Sequence, residues 1–360
     1  MNRCPACGTQ YADEAKFCTK DGSKLIPLPG SVGAATSGIG MGTPARGTAM
    51  GRAEPPKAVS PMNLVDQVLD GRYRIVRKVG EGGMSFVYLA NDTATSDRYA
   101  IKVLSAALSS DQNAMQRLKR EASLGMRLAH PNVCHIIRMG ETQDGLVYVV
   151  MPFVEGEILS DRNNRKGTLP LDEVSKFVLE IASGLHVAHE LKIVHRDLKP
   201  ENIMICKSED GSERAVVMDF GLAKERRADA ELQKLTATGI ILGTPEFMSP
   251  EQLRGKPLDP RTDVYSLGLM TYEMLTGKLP FTGRTQQEMM IARLRNEPVP
   301  LRQARTDLEF PEAVERVLTK AMQRSPDDRY NTAPEFAKDL AAASGQKTGE
   351  RSGLGRLFGR

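Results

Sequence analysis

Apolar residues crowd into four short stretches between Tyr73 and Met151: YRIVRKVG, FVYLAND, RYAIKVL and LVYVVM. Val, Ile and Tyr dominate these runs, which predicts β-strands, because branched and aromatic side chains suit a pleated, half-buried surface. One helical stretch, 111–128, interrupts them. From Leu171 the pattern changes. LDEVSKFVLEIASGLHVAHEL sets Val174, Phe177, Val178, Ile181, Leu185 and Ala188 on one helical face. DVYSLGLMTYEMLTG is apolar nearly all round, which predicts a buried helix ended by Gly277. The pattern predicts an α+β fold, a small β-rich lobe followed by a larger α-rich one.

Composition divides the chain into four regions. Residues 1–26 carry three of the five Cys. A second region, 27–63, is rich in Gly, Pro and Ala; its span 27–61 alone holds 7 Gly and 6 Pro. That exceeds the roughly 25–30% Gly plus Pro of disordered segments and predicts a flexible linker. The folded domain is expected over 64–341, and 342–360 forms a basic, Gly-rich tail. With 40% hydrophobic and 26% charged residues, the chain can bury a sizeable core. A net charge of +4 is mild for 360 residues and gives no reason to expect nucleic acid as a partner. The longest apolar run, 146–154, is far short of the ~20 residues of a membrane span. The N-terminus also lacks the apolar core of a signal peptide, so a cytoplasmic location with reduced thiols is expected.

Candidate chemistry lies between and after the strands. GEGGMSFV, 80–87, joins two of them, and glycines let a backbone approach a phosphate closely. A simple Gly-rich hairpin turn explains the same residues. Lys102 sits in an apolar strand, where it can act as a point charge for anionic oxygens or lie at a solvated edge. Glu121, on the following helix, could hold Lys102 by an ion pair or face solvent. HRDLKPENI, 195–203, is the densest stretch. Asp197 can take or orient a hydroxyl proton, while Asn202 and Asp219 offer oxygen ligands for a hard cation such as Mg²⁺.

Taken in order, GEGGMSFV, AIK, Glu121, HRDLKPEN, DFG, SPE and DVYSLG resemble the eukaryotic-type protein kinases, and most closely their bacterial serine/threonine members. The resemblance covers about 64–341 and implies a bilobal kinase fold, transfer of the ATP γ-phosphoryl group to Ser/Thr hydroxyls of protein substrates, and Mg²⁺ (or Mn²⁺) as the metal. It implies that Gly80, Glu81, Gly82 and Gly83 cover the phosphates, and that Val87, Ala100, Met151 and Val154 line the nucleotide pocket. Lys102 contacts phosphate and pairs with Glu121. Asp197 handles the substrate hydroxyl, Lys199 steadies the transferred group, and Asn202 and Asp219 hold the metal. Lys199 together with Thr244 marks the serine/threonine class. Glu251 is expected to pair with Arg329, and Ser249 to cap a helix beginning at Pro250.

Departures from the pattern are few. Ser85 stands where a third Gly is usual, and Pro152 follows the gatekeeper position Met151 but keeps its carbonyl. Gly125 lies one turn after Glu121, where a packing side chain is usual. It suggests either a loosely seated helix or close approach of a bulky neighbour. Arg196 is placed to receive a phosphorylated loop residue, and Thr236 and Thr238 are the expected autophosphorylation sites, with a transient homodimer as the vehicle. Cys134 and Cys206 read as small core residues, and His130, His135, His186 and His189 as packing or loop residues. The competing class is a pseudokinase or an adaptor acting through its head.

That head reads CPACG, then FCTKDG. Cys4, Cys7, Cys18 and Asp21 have nearly the spacing of two zinc knuckles, and the stretch resembles a short zinc ribbon. Asp can serve as a fourth zinc ligand, although KDG is also a common turn. So few residues cannot fold without a staple: either one structural Zn²⁺ orders the head and lets it meet a partner, or the site is vestigial and the head is disordered.

Overall fold

The computed structural model describes residues 2–3, 9–11, 26–27, 64–82, 85–104, 112–142, 145–208, 210–220 and 245–345. The head forms a unit of its own, within residues 1–56. In it β1 (Asn2–Arg3) pairs antiparallel with both β2 (Gln10–Tyr11) and β3 (Ile26–Pro27). Cys4, Cys7, Cys18, Asp21 and the body of the linker lie outside the described residues.

The folded domain opens with Leu64, fully buried beneath a six-stranded antiparallel sheet. Its strands are β4 (Val68–Leu69), β5 (Tyr73–Gly82), β6 (Ser85–Asp92), β7 (Arg98–Leu104), β8 (Arg138–Glu141) and β9 (Val147–Pro152). They lie in the order β4-β5-β6-β7-β9-β8. All four expected strands are present. The short β4 and β8 escaped notice, because two and four residues are too few to show a period. Val76 and Val79 are extra residues in the β5–β6 ladder, two bulges that bend β5 before its glycines. Helix α1 (Gln112–Gly125) packs on this sheet. A Cβ at Gly125 would come within 2.7 Å of Ile136 Cδ1. The missing side chain is therefore explained by close packing against Ile136, the second of the two readings, and a loosely seated helix is not required.

A second, three-stranded sheet accompanies the helices that were expected to dominate the larger lobe. It contains β10 (Glu157–Ile158), β11 (Ile203–Lys207) and β12 (Glu213–Val217). Around it stand α2 (Leu159–Lys166), α3 (Leu171–Glu190), α4 (Pro250–Leu253), α5 (Pro260–Thr276), α6 (Gln286–Arg295), α7 (Leu301–Ala304), α8 (Glu312–Ala321) and α9 (Ala333–Ala343). Every residue expected on the inner face of α3 is buried. Each such aliphatic or aromatic side chain contributes about 1.5–3 kcal/mol relative to exposure. As expected, α5 is buried along nearly its whole length and ends at Gly277 in the left-handed region, φ 68°.

Two charged hubs tie the lobe together. Arg162, 6% exposed at its side chain, donates to Glu157, Glu173 and Glu213, joining the second sheet to α2 and α3. Arg329 donates to both carboxylate oxygens of Glu251, at 2.8 and 2.7 Å, as expected. Burial pushes the Glu251 carboxyl upward, but the Arg329 hydrogen bonds and charge outweigh it and hold it below the usual range. Ser249 caps α4 through a reciprocal bond with Gln252. Replacing Glu251 by Gln leaves the Arg329 charge buried without its counter-ion. Urea unfolding of Glu251→Gln is expected to show a loss of about 3–5 kcal/mol.

Candidate active site

The site is assembled where the two lobes' chains meet along β7, the 195–203 loop and the end of β12. Gly80 and Gly82 lie at the closing end of the β5–β6 hairpin. They continue the ladder, opposite Val87 and Ser85, with Glu81 opposite Phe86. Gly83 lies outside the described residues. Beyond this hairpin, Lys102 stands on a central strand, paired with Val87 on one side and Val149 on the other. The edge-strand reading is therefore wrong. Its side chain is 12% exposed, and its ammonium donates to Asp219 Oδ1 at 2.7 Å. Glu121 is on α1, but its side chain lies outside the described residues, and with it the expected Lys102–Glu121 pair.

Val87, Ala100, Met151 and Val154 belong to one apolar cluster, as the expected pocket requires. The same cluster contains Met204, Met218 and Phe153, which were not singled out from the sequence. Pro152 keeps its carbonyl within reach of Cys134 Sγ, 3.7 Å away. Burial pushes the Cys134 thiol up to about 12, so it stays neutral. Both Cys134 and Cys206 are buried, as expected.

The 195–203 loop is held from beneath and from behind. Asp263, on α5, is fully buried. Its Oδ2 accepts from the His189 ring and from the His195 N–H, both at 2.8 Å, and its Oδ1 from the Arg196 N–H at 3.1 Å. Burial alone would raise this carboxyl, yet the bonds and the two histidines hold it below its ordinary value. The His195 ring meets the Met218 carbonyl at 2.8 Å and packs edge-on to Phe220 at 4.8 Å. Met218 N–H donates to the Asn202 carbonyl at 2.8 Å, so the loop and the chain leading into Asp219 are stitched twice. Arg196 and Asp219 both have positive φ, 66° and 53°, a cost of order 1–3 kcal/mol each that this stitching sustains.

Within the loop, Asn202 Nδ2 donates to the Asp197 carbonyl at 2.7 Å and to Asp197 Oδ2 at 2.9 Å. Lys199 Nζ stands 3.6 Å from the same carboxylate oxygen. Asp197, Lys199 and Asn202 thus converge as expected, and Asp219 meets Lys102. The Asn202 nitrogen is directed at Asp197, and its amide oxygen is the atom that could serve a cation. Together with the Asp219 carboxylate this is a hard-oxygen set suited to Mg²⁺, and the apolar cluster beside it suits an adenine ring. Thr236, Thr238 and Thr244 lie outside the described residues.

A sheet lobe joined to a helical lobe, with Lys102, Asp197, Asn202 and Asp219 where the two meet, is the bilobal fold of the protein kinases. The chain belongs to the protein kinase family, whose domain it matches over residues 73–340. It is 35% identical over 283 residues to serine/threonine-protein kinase pkn3 of Myxococcus xanthus, covering 79% of this chain and 52% of that one. It is 38% identical to pkn2 of the same organism, covering 80% and 34%, and 35% identical to PrkC of Bacillus subtilis, covering 78% and 42%. The chain thus spans about half or less of the length of these curated relatives. Among solved structures, the Mycobacterium tuberculosis PknI kinase domain is similar with a TM-score of 0.60 at 26% identity, covering 77% of this chain and 98% of that one.

Below the loop, Asn163 of α2 donates to Glu273 of α5 at 3.2 Å. Burial pushes the Glu273 carboxyl up to about 7, the Asn163 bond opposes this, and the charges of Glu201 and Glu246 add to it. A raised carboxyl keeps its proton in the folded state where the unfolded chain has lost it. Stability from this group is therefore full below about 4.5 and declines as pH rises to about 7. Glu273→Gln is expected to flatten that decline and to stabilise the protein at pH 8 by on the order of 1–3 kcal/mol, read by urea unfolding between pH 5 and 8.

Proposed function

We propose that this chain transfers the ATP γ-phosphoryl group to serine and threonine hydroxyls of protein substrates. The observation that carries the reading is the Asp197–Asn202–Lys199 constellation. Bound ATP with Mg²⁺ or Mn²⁺ supplies the electrophilic phosphoryl group and neutralises its charge. Lys102 presents a positive charge that Asp219 aims. Asn202 fixes the rotamer of Asp197, whose carboxylate would orient a hydroxyl and receive its proton. Lys199, 3.6 Å from that carboxylate, adds positive charge where negative charge develops. The Glu121 pairing with Lys102 and the phosphate-covering role of Gly80, Glu81, Gly82 and Gly83 belong to this proposal. So does a cytoplasmic setting, which suits an ATP-dependent enzyme with reduced buried thiols.

Arg196 would receive phosphorylated Thr238 or Thr236, and the transfer would take place between two transiently paired copies. The head would bind one structural Zn²⁺ through Cys4, Cys7, Cys18 and Asp21 and present a surface to a partner. Knuckle spacing supports this, as do the short strands on either side of the four ligands. A pseudokinase or adaptor is the alternative, and the presence of Lys102, Asp197 and Asp219 argues against it.

Asp197→Asn is expected to lower phosphate transfer to a protein acceptor by about 10²–10⁴-fold while ATP binding persists. Undiminished transfer would remove Asp197 from the reaction. Mass spectrometry of the purified active protein is expected to find phosphate on Thr236 or Thr238. Metal analysis of zinc-replete full chain is expected to give about one equivalent, and a result below half would rule out the closed site.

A further inference from the structure

The apolar cluster that holds Ala100, Met151 and Val154 abuts the charged pair of the site. Ala100 stands two residues before Lys102 on β7, hence on the same face of the strand, and Met218 directly precedes Asp219. A flat apolar ring carrying a polyphosphate would meet both surfaces. Two stretches of chain supply facing parts of this cluster. Met151 and Val154 come from the end of β9 and the residues after it, and Met204 comes from β11.

Gly156 lies where the first stretch crosses onto the second. A side chain has no room there. A Cβ would overlap the Ile205 carbonyl oxygen and stand 2.8 Å from its carbon and 3.1 Å from Cys206 Cα. These are backbone atoms of β11, which cannot turn aside as a side-chain tip can. Gly156 is not in the left-handed region, so close approach rather than an unusual φ calls for glycine here. The chain is pinned on either side of this contact. Before it, the Phe153 N–H donates to the Arg98 carbonyl of β7 at 3.3 Å. After it, β10 pairs with β11, Glu157 opposite Ile205 and Ile158 opposite Met204. Arg162 then ties Glu157 to Glu213 of β12, which leaves this end little slack.

We propose that Gly156 is a positioning residue for the nucleotide base: by letting the chain after Val154 rest directly on the Ile205 carbonyl, it sets the gap between Val154 and Met204 that receives the ring. The inference deepens the phosphotransfer reading above and rests on it. A Cβ would force the two stretches apart by on the order of 0.5–1 Å, and a gap of that size forfeits about a quarter to a half of the attraction between facing atoms. Lys102, Asp197, Asn202 and Asp219 are held by contacts of their own, so the loss falls on the base and not on the phosphates.

The test uses the full chain, its Gly156→Ala variant and the double variant Gly156→Ala with Met204→Phe, whose added bulk on β11 would refill the gap. Adenosine probes the base end of the site and tripolyphosphate with Mg²⁺ the phosphate end, each titrated by calorimetry beside ATP. Gly156→Ala is expected to weaken adenosine and ATP about tenfold and to leave tripolyphosphate within about twofold. The double variant should return adenosine to within about threefold of the wild type, a recovery that a purely structural role would not give. Unchanged adenosine affinity, an equal loss for adenosine and tripolyphosphate, or no recovery in the double variant would overturn the inference. So would a Gly156→Ala chain that does not fold, since Gly156 would then be a requirement of folding alone. A wild type that binds neither adenosine nor ATP would instead remove the phosphotransfer reading, and this inference with it.

Discussion

The buried carboxylate of Asp263 is the constraint on which the working parts depend. It sits on a helix that is itself almost wholly enclosed, and three donors reach it from α3 and the catalytic loop. Two are backbone N–H groups of adjacent residues, His195 and Arg196. A charge so placed fixes the path of the main chain, because leaving it unpaired in the interior would cost several kcal/mol. Arg196 can then be held at a positive φ that the loop alone would not maintain. Asp197 follows at once, so the position of the proposed base is set from beneath rather than by its own contacts.

From that anchor the order spreads by short links. His195 holds Met218, Met218 holds Asn202, and Asn202 holds Asp197, a closed circuit of hydrogen bonds around the site. The circuit reaches the sheet lobe through Asp219 and Lys102. It reaches α4 through Gln252, whose side-chain amide donates to the Arg196 carbonyl. Phosphoryl transfer is chiefly a matter of positioning and charge, so a fold that fixes these groups in advance has done most of what catalysis asks of it. The buried pair Glu251–Arg329 and the Arg162 hub keep the helical lobe rigid enough for the circuit to persist.

Much of this was legible in the chain. The faces of α3 and α5, the Gly277 terminus, the Ser249 cap and the Glu251–Arg329 pair were all expected, since each rests on a period or on a short local signal. The three residues Asp197, Lys199 and Asn202 lie within six positions, so their convergence needed no long-range knowledge. The second sheet was missed. Its strands are two to five residues long and lie among helices, too short for a period to stand out. The meaning of Gly125 was likewise undecidable from local pattern, because the neighbour that excludes a side chain, Ile136, belongs to a different segment.

Sequence alone determined the division into lobes, the helices and longer strands, and the identity of the chemical groups, because periodicity and motif spacing are properties of the chain itself. Tertiary structure alone decided that Lys102 is central rather than at an edge, and that Met204 and Met218 join the apolar cluster of Val87, Ala100, Met151 and Val154. It also decided that buried Arg293 on α6 gathers three carbonyls from residues more than forty positions earlier. Each depends on which distant surfaces are pressed together, and a carbonyl leaves no trace in the sequence of the side chain that will bind it.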